Sequence, residues 1–154
     1  MRYILGLDIG TRFVGVCLFD VSEQREVESY CYPRTDNQAL SGVMELLGRF
    51  SETDIVVGLP FGSDGEPSKQ GDDVLKFSRR LFRRVSNRIF VVDESFSTLE
   101  TEEALGINSS HERQRRKKSG EVDIGSAVRI VERFRAGPPL YKSYPLEQFL
   151  SPDE

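Results

Sequence analysis

The architecture follows from RYILGLDIGTRFVGVCLF, residues 2–19. Two apolar runs, residues 2–9 and 14–19, are separated by a Gly-Thr-Arg turn, a pattern typical of two adjacent β-strands. Residues 26–32, EVESYCY, alternate well enough to predict a third strand. The first part of the chain is therefore predicted to form an antiparallel meander of three strands.

Beyond the meander, strands alternate with helices. Apolar side chains recur at helical spacing across residues 40–50 and 74–85, and each predicted helix is followed by a short apolar run, residues 54–59 and 88–92. Between them, residues 60–71 are rich in Gly, Pro, Ser and Asp and are predicted to form a loop. This order predicts an α/β fold with a mixed five-stranded sheet flanked by helices on both faces.

The last third of the chain adds helices and a tail. Ser97 and Glu100 have the spacing of a capping box, which predicts a short helix starting near Thr98. An apolar stripe across residues 124–131 predicts a final helix that Gly137 and the two prolines after it stop. We expect one domain, residues 1–136, and a C-terminal tail, residues 137–154, that is either docked or flexible.

Composition narrows the class of protein. The chain has 154 residues, 38% apolar and 30% charged, which suits one ordinary globular domain. No apolar stretch is long enough to cross a bilayer and no signal-peptide pattern is present, so we expect a cytoplasmic protein with no membrane partner. His111 is the only histidine, which excludes sites that need two, and Cys17 and Cys31 are expected to be reduced thiols.

Basic residues are concentrated in two segments, although the net charge is −4. Residues 79–88 contain five arginines, and residues 113–118 contain five basic side chains, including Arg115, Arg116, Lys117 and Lys118. Local patches rather than total charge determine phosphate contacts, so both segments are candidate nucleic-acid contacts. The alternative, left open by the sequence, is that each is a solvated helix face.

Three acidic residues stand where strands end or a helix starts. Asp8 lies near the end of the first strand, Glu94 follows Asp93 at the end of the last strand, and Asp123 lies in the first turn of the final helix. If the two strands are neighbours, these carboxylates converge at one sheet edge, where α/β proteins present their sites. Oxygen ligands in this number suit Mg²⁺ or Mn²⁺, and two such ions can hydrolyse a phosphodiester. The alternatives are a turn cap at Asp8 and helix-dipole stabilisation at Asp123.

Four segments together resemble the YqgF/RuvX family of Holliday junction resolvases. They are GLDIGTRFVGV (6–16), VGLPFGSDGEPS (57–68), VVDESFST (91–98) and RRKKSGEVDIGSAVRIV (115–131), in order along nearly the whole chain. The resemblance implies a ribonuclease H-like fold and a metal-dependent nuclease acting on Holliday junction-like DNA or on the 5′ end of small-subunit ribosomal RNA precursor. It also implies that Asp8, Glu94 and Asp123 form the acidic trio.

The resemblance also suggests substrate contacts of lower rank. Gly58 and Pro60, with Asp64 and Gly65, match a signature loop whose glycines would let backbone amides approach a phosphate, although a tight turn would explain them equally simply. Further candidate phosphate contacts by position are Arg12, Thr98, Arg115, Arg116, Lys117 and Lys118.

Three departures from the family pattern stand near the site. Phe13 and Ser95 occupy positions where the family usually has basic residues, and Ser126 replaces an alanine. All three carboxylates are kept, so the loss of the two basic residues is expected to affect phosphate binding and substrate choice rather than metal binding. The departures also keep open a second interpretation, a ribosomal RNA processing factor that binds nucleic acid without cutting it.

Two further hypotheses concern nucleotide binding and the oligomeric state. The Asp-x-Gly-Thr sequence at Asp8 also opens the phosphate-binding hairpin of actin-like ATPases and sugar kinases, but those proteins need two such domains and this chain has room for one. A junction with two-fold symmetry is most simply cut by paired active sites, which makes a homodimer a hypothesis. The sequence does not distinguish DNA from RNA as the substrate.

Overall fold

The computed structural model describes the backbone of residues 1–94 and 121–151, and the side chains of the same residues except 121–123. Its first three strands are β1 (Tyr3–Ile9), β2 (Phe13–Asp20) and β3 (Arg25–Pro33). β1 pairs antiparallel with β2, and β2 pairs antiparallel with β3. The meander predicted from the apolar runs is confirmed.

Helices and strands then alternate, as the apolar spacing predicts. The elements are α1 (Gln38–Arg49), β4 (Thr53–Leu59), α2 (Lys69–Phe82) and β5 (Ile89–Asp93). α2 begins inside the segment predicted to be loop, because the Ser68 hydroxyl caps it by accepting a hydrogen bond from the backbone N–H of Gly71 at 3.2 Å.

The described part of the chain ends with α3 (Glu121–Ala136), the short strand β6 (Ser143–Pro145) and a 3₁₀ turn (Leu146–Phe149). β6 pairs antiparallel with β5 and makes the sheet six-stranded. The prediction of five strands is therefore wrong by one. A three-residue edge strand that ends in a proline has too few residues to show a period-2 pattern.

The sheet has the order β3-β2-β1-β4-β5-β6, with β1, β4 and β5 parallel at its centre. One face packs against α1 and α2 through side chains such as Val43, Leu46, Val74 and Leu81. The other face packs against α3 through a smaller cluster that includes Ile4, Val56, Val92, Ala127, Ile130 and Val131. Helices cover both faces, as predicted, and we refer to the second face as the α3 face.

Two further sequence predictions concern a short helix near Thr98 and the absence of a membrane-spanning segment. The short helix predicted near Thr98 lies outside the described residues. Among the helices that the structure describes, none combines the length and apolar character needed to cross a membrane.

Candidate active site

Asp8 is a buried carboxylate on the α3 face of the central strand. It lies in β1, opposite Gly15 of β2, and is 7% exposed. Side chains on a strand alternate between faces, so Asp8 projects on the same side as Ile4, which packs in the α3-face cluster. A carboxylate buried in this position needs polar partners or a cation, because removing a charge from water is costly.

Glu94 reaches the same face from the end of β5. It follows Asp93, the last residue of β5, and is 8% exposed. Its backbone N–H donates a long hydrogen bond, 3.4 Å, to the carbonyl of Leu59 in β4. Val92, two residues earlier, packs in the α3-face cluster, which places Glu94 on that side as well.

Gly58 makes room for the Glu94 side chain. A Cβ atom at Gly58 would lie 2.7 Å from the Glu94 carboxyl carbon and from its Oε2, and 2.7 Å from Cδ1 of Ile130. The Glu94 carboxylate therefore lies over the backbone of β4, beside α3. The functional reason for a glycine in the Gly58-Leu59-Pro60 segment is thus space for a carboxylate, which the sequence alone did not indicate.

The strand register brings the two acids to the same edge of the sheet. Leu7 pairs with Val57, and Gly58 pairs with Val92. The ends of β1, β4 and β5 therefore lie within about two residues of one another along the strand direction. Asp8 is one residue past the first of these pairs, and Glu94 is two residues past the second. We call this region, Asp8, Gly58 and Glu94, the carboxylate corner.

α3 covers the α3 face close to the carboxylate corner. Ile130 is the contact to Gly58, and one turn earlier the carbonyl of Ala127 lies against Gly6 of β1. Asp123 lies in the first turn of this helix, but its side chain is outside the described residues. Among the described side chains, no group of three or more His, Cys, Asp or Glu is arranged to hold a metal. The donors described so far, two buried carboxylates, are of the oxygen type that Mg²⁺ and Mn²⁺ prefer.

Arg133 of α3 fixes the end of β5. It is 7% exposed, and its Nη1 donates a hydrogen bond of 2.6 Å to the backbone carbonyl of Asp93, the residue before Glu94. Its guanidinium also lies over the ring of Tyr141, 5.2 Å from the ring centre. Sequence reasoning missed this contact because Arg133 stands among other charged residues at the end of the helix.

Arg34 is a second cation that sequence reasoning missed. Its Nη1 donates hydrogen bonds to the backbone carbonyl of Gly10 at 2.9 Å and to the carboxylate of Asp73 at 2.5 Å. It therefore places a guanidinium beside the turn that follows Asp8, partly balanced by Asp73. Arg12, the predicted contact in that turn, is exposed. No local pattern could have revealed Arg34, because its partners come from the turn after β1 and from α2.

The predicted phosphate loop is a tightly bonded turn. Gly62 N–H donates to the carbonyl of Glu66 at 2.8 Å, and Asp64 Oδ1 accepts from the backbone N–H of Glu66 at 3.0 Å. Gly65 has a φ of +81°, which favours glycine. The carbonyl of Pro60 accepts from the backbone N–H of Ser68 at 3.0 Å and so closes the loop.

The remaining substrate candidates, Thr98, Arg115, Arg116, Lys117 and Lys118, lie outside the described residues, as does Ser95. Of the predicted site residues, the structure brings Asp8, Gly58 and Glu94 together at one corner. It places Pro60, Asp64 and Gly65 in the loop that follows β4.

Comparisons with known proteins find relatives over most of the chain. A family model described as "RuvX: Holliday junction resolvase" matches residues 2–135. The chain is 31% identical to a "Putative pre-16S rRNA nuclease" of Maridesulfovibrio salexigens, over 86% of this chain and 97% of that protein. It is 32% identical to a protein of the same description from Sodalis glossinidius, over 84% and 90%.

A solved structure shares the fold. The chain described as "T. thermophilus RuvC in complex with Holliday junction substrate" matches with a TM-score of 0.51 and 13% identity, covering 94% of this chain and 100% of that one. At this identity the likeness is one of fold, the ribonuclease H-like fold.

Proposed function

Because the chain belongs to the RuvX family of Holliday junction resolvases, we propose that it hydrolyses phosphodiester bonds in structured nucleic acid with divalent metal ions held by Asp8, Glu94 and Asp123. The substrate class is Holliday junction-like DNA, ribosomal RNA precursor, or both. Either substrate places the work of the protein in the cytoplasm.

The observation that carries the proposal is the carboxylate corner. Asp8 and Glu94 are both buried and both project on the α3 face at the edge where the parallel strands end. Carboxylate oxygens at one edge of the sheet are the type of donor that suits a divalent cation such as Mg²⁺ or Mn²⁺. Asp123 in the first turn of α3 supplies the third oxygen donor of the proposal. Magnesium or manganese bound there would activate a water and stabilise the leaving oxygen.

The residues of the chain divide the work. Asp8 and Glu94 supply negative oxygens, Gly58 leaves the space in which the Glu94 carboxylate lies, and Arg133 holds the strand end that carries Glu94. Arg34 supplies positive charge beside the Asp8 turn, where a phosphate approaching the corner is attracted. The chain has no histidine pair and needs no cysteine nucleophile for this reaction.

A cleavage assay with two matched variants tests the proposal. Asp8→Asn removes a donor of the carboxylate corner, whereas Asp54→Asn changes another buried aspartate, 6% exposed, at the opposite end of β4 where it pairs with Arg88. We expect Mg²⁺- or Mn²⁺-dependent cutting of junction DNA or precursor RNA by the native chain and by Asp54→Asn, and none by Asp8→Asn. Equal cutting by both variants would refute the assignment of Asp8.

A second candidate function is binding without cleavage, in ribosomal RNA processing. Ser95, in place of the basic residue usual in the family, is the observation that favours it. Normal binding of precursor RNA, with cutting no faster than Asp8→Asn under any metal, would select this candidate. Manganese-soaked crystals test the metal site separately, because an anomalous peak between Asp8 and Glu94 is expected if these carboxylates hold the ion, and its absence would contradict the proposed metal site.

We further propose that the active form on junction DNA is a homodimer, because paired sites suit a two-fold substrate. Light scattering in the presence of a junction is expected to give a mass with two protein chains. A single chain per junction would contradict the dimer while leaving the cleavage proposal intact.

A further inference from the structure

A pocket of about 660 Å³ lies between the loop after β4 and the C-terminal tail. One side is formed by Phe61 and the loop residues Gly62, Ser63 and Gly65, and the other by Tyr144, Gln148 and Phe149 of the tail. Asp93, at the end of β5, also lines the pocket. The volume falls within the range of roughly 300–1,000 Å³ typical of ligand sites.

The lining combines flat apolar surfaces with polar groups at the rim. The rings of Phe61 and Phe149 are 6.2 Å apart and tilted by 56°, and Tyr144 meets Phe149 edge-on, also at 6.2 Å. All three rings are only partly buried, and both Asp93 and Gln148 are exposed. A planar ring that carries N–H donors and carbonyl acceptors at its edge fits this chemistry, since it can stack on one aromatic face and bond to the amide and carboxylate.

The pocket adjoins the carboxylate corner across the edge of the sheet. Asp93 and Glu94 are consecutive, so their Cα atoms are about 3.8 Å apart. Side chains alternate along a strand, so Asp93 faces the pocket while Glu94 faces α3. The pocket and the carboxylate corner therefore lie at the same edge of the sheet on opposite faces, and a strand bound at Asp8 and Glu94 has to pass around that edge to place a neighbouring nucleotide in the pocket.

We propose that this pocket takes an unpaired nucleobase of the strand that is cut at the carboxylate corner. The inference rests on the proposed function and adds to it that the substrate offers a single-stranded or splayed nucleotide next to the cut. Nucleobases present the planar, edge-polar surface that the lining fits, and stacking on aromatic side chains is the general means of holding them. Three of the lining residues, Tyr144, Gln148 and Phe149, lie beyond residues 2–135 that the family model matches. The tail thus forms one side of this subsite.

The test uses single-stranded DNA oligonucleotides with one 2-aminopurine scanned along the sequence, in EDTA so that nothing is cut. The full-length chain contains no tryptophan, so protein emission interferes little with the probe. We expect quenching at one or two positions, and Phe149→Leu is expected to abolish it and to weaken binding by about tenfold. The matched control is Phe82→Leu, a partly buried phenylalanine at the end of α2, which should change neither.

Gln148→Ala is a second pocket variant, for use if Phe149→Leu proves unstable. Gln148 is exposed, so removing its amide should weaken binding without unfolding the chain. Unchanged quenching and affinity in both pocket variants would overturn the proposal. So would a free mononucleotide that competes as well as the oligonucleotide, since the pocket would then be a small-molecule site. Binding in EDTA and cleavage with metal are separate readouts, so normal cleavage without base stacking would disprove the pocket alone.

Discussion

Gly58 illustrates how a missing side chain organises the site. Its backbone lies under the Glu94 carboxylate and beside Ile130, with no room for a methyl group. Asp8 and Glu94 were predictable from the sequence because each interrupts or ends an apolar strand. The role of Gly58 was not, because it depends on how β4, β5 and α3 meet in space.

The Gly58→Ala variant is expected to lose metal-dependent cleavage by at least about tenfold, because its Cβ would displace the Glu94 carboxylate. The overpacking should also lower the free energy of unfolding by about 1–3 kcal/mol. Gly48→Ala in α1 is the matched control, since a Cβ there meets nothing within 4 Å. It should leave activity unchanged and stabilise by about 0.5–1 kcal/mol. Urea unfolding and initial cleavage rates measure both effects.

Cys17 should be chemically inert in the folded chain. Burial, with a smaller contribution from the nearby charge of Glu26, raises the pKa of Cys17 from 9.0 to about 12. The thiolate is the reactive form, so at pH 8 we expect iodoacetamide to label the partly exposed Cys31 well before Cys17. Mass spectrometry of the labelled peptides measures this order.

The same pKa shift gives a pH dependence with a definite sign. The folded chain retains the Cys17 proton that the unfolded chain loses above its ordinary pKa of 9.0. The contribution to stability is therefore complete below pH 9 and falls as the pH rises towards about 12. Cys17→Ala is expected to flatten this part of the stability curve. Rapid labelling of Cys17 without denaturant would contradict both expectations.

At the level of elements, periodicity predicted α1, α2, α3 and the first five strands. It did not predict β6, because the tail shows neither a helical nor a strand period. For the same reason, the sequence left open whether the tail is docked or flexible. Its attachment depends on single side chains. Leu146, fully buried, joins the core beneath the sheet, and Phe149 and Leu150 pack against that core.

Leu146→Ala is therefore expected to lower the free energy of unfolding by about 2–5 kcal/mol, although it lies outside the part of the chain that the family model matches. Leu140→Ala provides the comparison, since Leu140 is 77% exposed and its truncation should change stability by no more than about 0.5 kcal/mol. Urea denaturation of the two variants measures both free energies of unfolding. Equal stabilities would mean that the tail contributes nothing to the core.

At the scale of the whole molecule, a cluster of positive charge lies at the opposite edge of the sheet from the carboxylate corner. The net charge is −4, yet five arginines occupy residues 79–88, from the last turn of α2 to the residue before β5. Parallel strands begin at that edge of the sheet and end at the carboxylate corner. Since β4 has seven residues, the two edges are about 20 Å apart. We propose that these arginines contact nucleic acid at a distance from the carboxylate corner.

This separation predicts a length-dependent effect of the arginines. Arg83 and Arg84 are exposed, and changing both to alanine should reduce the salt dependence of binding to a duplex of about 25 base pairs by about one to two released ions. A single strand of about ten nucleotides, bound at the carboxylate corner, should show little change. Fluorescence anisotropy from 50 to 200 mM salt measures both slopes. A duplex slope identical to that of the native chain would rule out contact with this patch.

The order of the sheet also governs what happens while the chain is being synthesised. The first 33 residues contain β1, β2 and β3 and can pair with one another as soon as they emerge. The outer side of β5, by contrast, gains its partner strand β6 only after residues 143–145 leave the ribosome. During that interval a nascent chain exposes a bare strand to its neighbours on a polysome, the kind of surface that recruits chaperones or seeds aggregation.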